Sequence, residues 1–209
     1  RFYFEGTSAP SLTGVPGDPR ASVLFTGGLG LVLEPMAAAA EALVAAAPVT
    51  CAVMVDVNCR PRIVPSREPY VARVERVLRR ADVVKVSDED LGYLFPDLPA
   101  LDAARAVLAL GPKAVLLTAG GGSVQVIARD GETEVPVPRV DVVDTIGAGD
   151  SFGGGFLAWW QVSGRPVEQL GSLDALVPAV RAAIQVAGIV VTRRGADPPW
   201  RHELPADWS

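Results

Sequence analysis

A glycine turn with a carboxylate at each end stands at residues 144–150, which read D-T-I-G-A-G-D. The alternating apolar run at residues 140–143 predicts a strand before the turn, and the apolar segment after Asp150 predicts a helix. Consecutive backbone N–H groups in such a turn point into one concavity and add to the positive end of the helix dipole. The pattern therefore predicts a pocket for a phosphate-sized anion, with Asp150 beside it.

Asp150 is placed to act as a proton acceptor at this pocket. During phosphoryl transfer a carboxylate can accept the proton of the attacking hydroxyl, while N–H groups stabilise charge on the transferred group. A helix cap combined with a tight turn is the alternative, and it would be preferred for an isolated Gly-x-Gly-Asp. Asp144 and Thr145, together with the predicted strand and helix, favour the functional interpretation.

The composition is that of a globular protein. Of the 209 residues 49% are hydrophobic and 21% are charged, the net charge is −5, and no block is rich in lysine or arginine. These values disfavour disorder and give no electrostatic source for nucleic-acid binding. The longest apolar stretch, residues 175–191, is interrupted by Pro178, Arg181 and Gln185, which indicates a buried helix rather than the ~20-residue span that a membrane requires. We therefore expect neither nucleic acid nor a membrane as a partner.

The cysteines and the first residues bear on the origin of the chain. Cys51 and Cys59 are too few for a disulfide framework and are wrongly spaced for a zinc site. A reducing, cytoplasmic location fits this usage best. Arg1 stands where a methionine would begin a protein, and residues 1–4 resemble a strand from the middle of a domain. We expect that the start of the natural protein is missing.

Strand and helix patterns alternate along the chain. Continuous apolar runs predict strands that are covered on both faces, as in parallel sheets. The predicted strands are residues 22–26, 51–56, 83–86 and 114–118, and a hairpin joins 123–128 to 133–137. The predicted helices are residues 37–47, 68–80, 101–110 and 174–192, with a short one capped by 87–90. The alternation predicts a single α/β domain over residues 1–209, with a mostly parallel sheet between helices.

Polar residues and glycines cluster where the predicted strands end. Because ligands of open parallel sheets bind beyond the carboxyl ends of the strands, one extended site is predicted along this edge. The residues at the strand ends are Gly27, Gly28, Asp56, Asn58, Arg60, Ser87, Asp90, Thr118, Gly120, Gly122 and the turn at 144–150.

The segment D-T-I-G-A-G-D-S-F resembles the second signature of the ribokinase-like (PfkB) family of carbohydrate kinases. Other pieces follow in the family's order: D-V-N-C-R-P at 56–61, K-V-S-D-E-D at 85–90, T-A-G-G-G-S at 118–123 and V-T-R-R-G-A at 191–196. The resemblance covers essentially the whole chain. It implies a three-layer α/β/α fold, in which the N-terminal part and a small β lid are missing here.

The resemblance implies a role for each group along the predicted site. Asp150 would be the base that deprotonates a sugar hydroxymethyl group, and Gly147, Ala148 and Gly149 would form the anion hole. The nucleotide would be bound by Asn58, Ser87, Asp90, Thr118, Gly120, Gly122, Ala183 and Ala187. Alternatives stay open for some of these, because alanines also pack helices together and glycines also end strands. For Arg60, a surface ion pair is as good an interpretation as contact with phosphate or substrate.

The resemblance also implies ATP as phosphoryl donor, Mg²⁺ with its phosphates, and a monovalent cation such as K⁺ beside the anion hole. The ligands of the monovalent cation would be Asp144 and the carbonyl groups of Ile146, Val190, Arg193 and Gly195. The family's Asn-x-x-Glu, which helps to hold the magnesium–phosphate network, is replaced by Ser87-x-x-Asp90. The shorter carboxylate would act through water.

The predicted function is transfer of the γ-phosphoryl group of Mg-ATP to a primary hydroxyl of a small sugar or sugar acid of the ribose, fructose or 2-keto-3-deoxygluconate type. A nucleoside kinase and a non-catalytic nucleotide- or sugar-binding module are the alternatives. The substrate-recognising arginine of many members is absent from the segment Phe2-Tyr3-Phe4-Glu5. Without the lid, which closes over the sugar, this chain would carry the ATP half, the base and part of the sugar site. Any homodimer would form through that lid.

Overall fold

The structure is a computed structural model that describes residues 7–8, 11–14, 21–206 and 208. The predicted substrate segment at residues 2–5 lies outside the described residues. The chain divides into two compact units, Arg1–Leu117 and Thr118–Ser209, and each is described by itself. The single domain predicted over residues 1–209 stays a prediction.

The first unit alternates strands with helices. Its strands are β1 (Val23–Gly27), β2 (Ala52–Asp56), β3 (Val83–Ser87) and β4 (Ala114–Thr118), which ends at the unit boundary. Its helices are α1 (Met36–Ala46), α2 (Arg67–Arg80), α3 (Asp88–Leu94) and α4 (Ala100–Ala109), and a short 3-10 helix covers Gly28–Leu31. The strands follow one another in the sheet in the order of the sequence.

Strands β1, β2 and β3 run parallel, in a register that places Gly27 opposite Asp56 and Asp56 opposite Lys85. Every residue of β2 and the first four residues of β3 are buried. Continuous apolar sequence therefore indicated buried parallel strands correctly for β2 and β3, whereas no residue of β1 is buried. The register also brings the polar residues at the carboxyl ends of β2 and β3 to one edge of the sheet.

Asp82 connects the amino ends of the strands in this unit. Its carboxylate accepts hydrogen bonds from Val53 N at 2.9 Å and from Arg80 at 3.3 Å, and it forms an ion pair with Lys113 Nζ at 2.8 Å. The backbone carbonyl of Asp82 accepts from the N–H of Lys113 and that of Ala114. This buried carboxylate thus aligns β2, β3 and β4 at the edge opposite the predicted site.

The second unit contains an antiparallel hairpin and two long helices among its described residues. Its elements are β5 (Ser123–Ala128), β6 (Gly131–Pro136), α5 (Ala148–Ser163) and α6 (Leu173–Val191), with 3-10 helices at Val167–Gly171 and Arg201–Glu203. The pairing of β5 with β6 confirms the predicted hairpin. The predicted α/β class, with a six-stranded and mostly parallel sheet, is also confirmed.

Helices α5 and α6 pack closely against each other. A Cβ atom added at Gly155 would lie 3.0 Å from the side chain of Val186 and 3.3 Å from the Cα atom of Ala183, so the absence of a side chain at Gly155 permits this approach. By length and composition α6 is apolar enough to cross a membrane. Half of its apolar window is buried inside the protein, and a single helix of this kind is weak evidence for a membrane span.

The strand predicted at residues 140–143 is wrong, because this segment is irregular in the structure. The N–H groups of Val143 and Asp144 both donate to the carbonyl of Val191, at 2.8 and 3.2 Å. Side chains of Val140, Val142 and Val143 are exposed. Alternating apolar residues are compatible with a strand, but a strand also needs a neighbouring strand to accept its backbone hydrogen bonds. Here the carbonyl at the end of α6 accepts them instead.

Candidate phosphate-binding site

The predicted anion hole is a left-handed turn at the start of α5. Gly147 is the N-cap residue, with φ 77°, and its carbonyl accepts from Ser151 N at 2.8 Å. The N–H of Ala148, which is the first residue of the helix, donates to the carbonyl of Thr145 at 3.2 Å. The left-handed backbone conformation at this position favours glycine, because a residue with a Cβ atom would be strained in it. The first turn of α5 thus begins at the glycines that the sequence singled out.

Gly147 is also fixed by close contact with the loop that follows α6. A Cβ atom at Gly147 would lie 2.6 Å from the Cβ atom of Ala196 and 3.1 Å from its Cα atom. These distances are shorter than van der Waals contact, so only glycine fits. The position of the turn therefore depends on the loop around Ala196.

Asp144 fastens the same two segments together through its carboxylate. One oxygen accepts from Ile146 N at 3.0 Å, and the other accepts from Gly195 N at 2.9 Å. These hydrogen bonds, that of Ile146 first and that of Gly195 second, lower the pKa of Asp144 from its ordinary value. Asp144 thus binds Gly195, which lies 51 positions later in the sequence.

The predicted ligands of the monovalent cation lie on the two segments that Asp144 joins. Asp144 and Ile146 precede α5, Val190 is in the last turn of α6, and Arg193 and Gly195 follow that helix. A carboxylate together with carbonyl oxygens is a donor set that suits a hard cation. These donor types suit such an ion, although both Asp144 oxygens and the carbonyls of Val190 and Gly195 already accept backbone hydrogen bonds, and its binding stays a prediction.

Asp150 lies in the first turn of α5, and it is exposed. Ala148 and Gly149, the first two residues of that helix, are half-buried. An exposed carboxylate in the first helical turn, three residues after the left-handed glycine, has the position that the sequence predicted for the proton acceptor. Its catalytic role stays a prediction.

The turn after β4 carries the residues predicted to line the nucleotide. Thr118 is half-buried at the end of the strand, and Gly120 adopts a left-handed conformation with φ 54°. Gly122 N donates to the carbonyl of Ala119 at 3.0 Å, and a Cβ atom at Gly122 would lie 3.1 Å from that oxygen. A Cβ atom at Gly120 would meet nothing within 4 Å, so the backbone is open there and a ligand could approach closely, whereas Gly122 lies against Ala119.

The two alanines predicted to border the adenine have different surroundings. Ala183 is fully buried, and its backbone lies beside Gly155 in the packing of α5 against α6. Ala187, one helical turn later, is half-buried. The packing alternative thus accounts for Ala183, while Ala187 retains some exposed surface.

In the first unit, Ser87 and Asp90 form a capping box at the start of α3. Asp90 N donates to Ser87 Oγ at 3.0 Å, and one carboxylate oxygen of Asp90 accepts from Ser87 N at 3.0 Å. The other carboxylate oxygen accepts from Cys59 N at 2.6 Å. Asp90 is buried and both of its oxygens already accept backbone hydrogen bonds. Any contribution to a magnesium–phosphate network would use their remaining lone pairs.

Asn58 stands in the turn after β2 in a left-handed conformation, with φ 41°. Among the described residues it is the only one other than glycine with a positive φ. The guanidinium group of Arg60 donates to the carbonyls of Asn58 and Cys59, at 3.2 and 3.0 Å. Such backbone conformations are uncommon outside glycine, and they often mark functional turns.

The sequence analysis did not predict the buried ion pair next to this turn. Lys85 Nζ donates to the two carboxylate oxygens of Asp56, at 3.0 and 2.9 Å. A lone lysine within an otherwise apolar strand was the signal, because a buried lysine requires a partner. Within the described residues, no three or more His, Cys, Asp or Glu side chains are grouped so that they could hold a metal.

The described elements form an α/β protein with a left-handed glycine turn at the start of α5. Residues 21–203 match the family described as pfkB family carbohydrate kinase. A fructokinase from Rhizobium leguminosarum bv. trifolii is 34% identical over 180 residues, which cover 83% of this chain and 54% of that protein. The chain therefore belongs to the PfkB family of carbohydrate kinases, and the resemblance found in the sequence is confirmed.

Two solved structures are similar to the chain. A fructokinase from Xylella fastidiosa with bound ATP has a TM-score of 0.77 and 28% identity, covering 85% of this chain and 57% of its own. Aminoimidazole riboside kinase from Salmonella enterica, complexed with aminoimidazole riboside and an ATP analog, has a TM-score of 0.77 and 27% identity, covering 88% and 62%. The chain spans about half the length of the curated relatives it matches.

Proposed function

We propose that the full-length protein transfers the γ-phosphoryl group of Mg-ATP to a primary hydroxyl of a small sugar or sugar acid. The observation that carries the proposal is the left-handed turn at Gly147, which opens α5 and has Asp150 in the first turn of that helix. Family membership supports the same reaction class, because the chain matches the family over residues 21–203.

In the proposed reaction the acceptor hydroxyl oxygen attacks the γ-phosphorus of ATP. The bond from that phosphorus to the β–γ bridging oxygen breaks, and ADP leaves. Asp150 accepts the hydroxyl proton, and the N–H groups of residues 147–149 donate hydrogen bonds to the transferred phosphoryl group, that of Ala148 sharing its hydrogen with the carbonyl of Thr145. Mg²⁺ would neutralise charge on the phosphates. The turn after β4 and Asn58 would contact the nucleotide.

The relatives favour fructose as the first acceptor to test. The fructokinase from Rhizobium leguminosarum bv. trifolii covers most of this chain at 34% identity. A riboside is the second candidate, because the aminoimidazole riboside kinase of Salmonella typhimurium is 35% identical over 105 residues. The same screen of acceptors also tests whether a sugar acid is the substrate and whether the protein is a non-catalytic binding module.

The role of Asp150 is tested with Asp150→Asn in the full-length protein. This change keeps the shape of the side chain and removes the proton acceptor, so we expect turnover to fall about 10²–10⁴-fold while ATP affinity stays nearly unchanged. Steady-state kinetics and isothermal titration with ATP provide the two measurements.

Asp174→Asn is the matched control, because Asp174 is also an exposed carboxylate in the first turn of a long helix, α6. We expect this control to retain wild-type turnover. Full activity of Asp150→Asn would contradict the assignment of the base.

The acceptor is identified by ADP release in the presence of fructose, ribose, 2-keto-3-deoxygluconate or ribosides. We expect turnover with one of these classes and a high KM for the others. Measurable ATP binding without turnover on any acceptor would favour the binding module and contradict the proposed kinase activity.

A further inference from the structure

Two charged side chains are buried together where β2 and β3 end. Asp56 is 4% exposed and Lys85 is 7% exposed. The register of the parallel strands sets them opposite each other, and Lys85 Nζ lies 3.0 and 2.9 Å from the two carboxylate oxygens. Both belong to the edge of the sheet that carries Asn58 and Asp90.

A buried ion pair usually adds little to the free energy of unfolding. Removing both charges from water has a large desolvation cost, and apolar side chains of similar volume often replace such pairs without loss of stability. By contrast, such a pair can fix one geometry because its hydrogen bonds are directional. Because the pair lies between the segments that carry Asn58 and Asp90, we look for a role of the pair beyond packing of the sheet.

The chain that leaves β2 is held by the strand and helix beside it. Val57 N donates to the carbonyl of Lys85 at 3.0 Å, and Cys59 N donates to Asp90 at 2.6 Å. Asn58 stands between these two bonds, in its left-handed conformation. Lys85 thus contacts this segment twice, through its side chain at Asp56 and through its carbonyl at Val57.

The turn after β1 supports Asn58 from the other side. A Cβ atom at Gly28 would lie 3.3 Å from the side-chain nitrogen of Asn58. A Cβ atom at Gly27 would lie 1.7 Å from the carbonyl oxygen of Asp56, so the backbones of β1 and β2 approach closely at their ends. The Asn58 side chain therefore lies beside the turn after β1. The backbone N–H groups of its two neighbours, Val57 and Cys59, are both hydrogen-bonded.

We infer that Lys85 and Asp56 are a positioning pair, which holds the turn carrying Asn58 in the geometry that the proposed contact of Asn58 with the nucleotide requires. The pair acts through Asn58 and does not itself touch the nucleotide. This inference rests on the proposed function for its catalytic consequence. The structural part, that the pair orders residues 57–59, is measurable without any activity.

The test compares the full-length wild-type protein with a double variant, Asp56→Val with Lys85→Met. This replacement removes both charges while keeping apolar volume in the strands. We expect a folded protein whose kcat with fructose, or with the acceptor that the screen identifies, falls on the order of 10–100-fold, while the KM of that acceptor changes less. Hydrogen exchange by mass spectrometry should become faster in peptides spanning residues 57–60 and stay unchanged in α4.

Lys113→Met serves as the matched control, because Lys113 also contacts a buried carboxylate, that of Asp82, but at the amino ends of the strands. We expect it to lower the unfolding temperature without changing kcat or the exchange of residues 57–60. Should the double variant fail to fold, Asp56→Asn with Lys85→Gln, which removes both charges and keeps polar side chains of similar size, takes its place with the same expected results.

Unchanged exchange at residues 57–60 in the folded variant would overturn the inference. Faster exchange with kcat unchanged would also overturn it, since the pair would then be structural only. If the wild-type protein neither turns over an acceptor nor binds Mg-ATP, the proposed function fails. The exchange comparison then decides by itself whether the pair orders the turn.

Discussion

Cys59 is a buried thiol within the turn that carries Asn58. It is 8% exposed, and the hydroxyl of Tyr70 donates to its sulfur atom at 3.4 Å. Burial raises the pKa of the Cys59 thiol from 9.0 to about 12, and the hydrogen bond from Tyr70 opposes that shift only in part. A thiol that remains protonated is a poor nucleophile. Cys59 therefore fills space next to Asn58.

We expect the Cys59 thiol of the native protein to resist alkylation by iodoacetamide at pH 8. Because its pKa in the folded state lies above that in the unfolded state, its contribution to stability is fully present below pH 9.0 and is lost as the pH rises towards about 12. Peptide mapping measures the labelling. Urea unfolding of wild type and Cys59→Ala from pH 8 to 10 measures the stability. Rapid labelling of the native protein would contradict this description of Cys59.

At the scale of elements, the decisive contact is between the turn that opens α5 and the loop that follows α6. Gly147 has a left-handed backbone and approaches Ala196 more closely than a side chain would allow. The carboxylate of Asp144 holds the same two segments together through Gly195 N. The conformation of the turn before α5 thus depends on contacts with the loop after α6.

The change Gly147→Ala tests this contact in the full-length protein. The methyl group would meet Ala196 and strain the backbone, so we expect a loss of about 1–3 kcal/mol in the free energy of unfolding. The proposed kinase activity should be nearly abolished, because the N–H groups of the turn would be displaced. Urea denaturation and steady-state kinetics measure the two effects.

Gly154→Ala is the control for that experiment. Gly154 lies in the same helix, and a Cβ atom there would meet nothing within 4 Å. Replacing a helical glycine by alanine should raise the free energy of unfolding by about 0.5–1 kcal/mol and leave turnover unchanged. Equal effects of the two substitutions would mean that the contact with Ala196 has no special role.

At the scale of the whole molecule, the proposed cation would depend on residues that are distant in the sequence. Its predicted ligands come from the segment before α5, the end of α6 and the loop after it. An ion bound there would stabilise the same arrangement that Asp144 already fastens. The ion would therefore affect the anion hole indirectly, by holding the backbone of the turn before α5 in position.

We expect the turnover of the full-length protein to fall when K⁺ is replaced by tetramethylammonium at constant ionic strength, which keeps screening constant. A cation too large for a ring of carbonyl oxygens cannot bind between the two segments. Steady-state kinetics with saturating Mg-ATP provides the measurement. Equal turnover in the two salts would remove the predicted cation site.

The sequence alone predicted the family, most of the elements and the order of the groups along the site. It could do so because buried parallel strands are continuous apolar runs, and because a glycine turn before a helix is a local pattern. The glycine turn before a helix and the cap at Ser87 followed from neighbouring residues, although the helix begins at Ala148 and not after Asp150. Such features depend on interactions within a few residues, which the sequence contains directly.

Only the tertiary structure decided which distant groups meet. It paired Lys85 with Asp56, joined Asp144 to Gly195, and gave the hydrogen bonds of the segment at 140–143 to the end of α6 instead of to a neighbouring strand. A local pattern specifies which groups need partners, whereas the packing of the chain selects the partner among all groups within reach. For this reason the glycine turn itself was predictable, and the contacts that hold it in place were not.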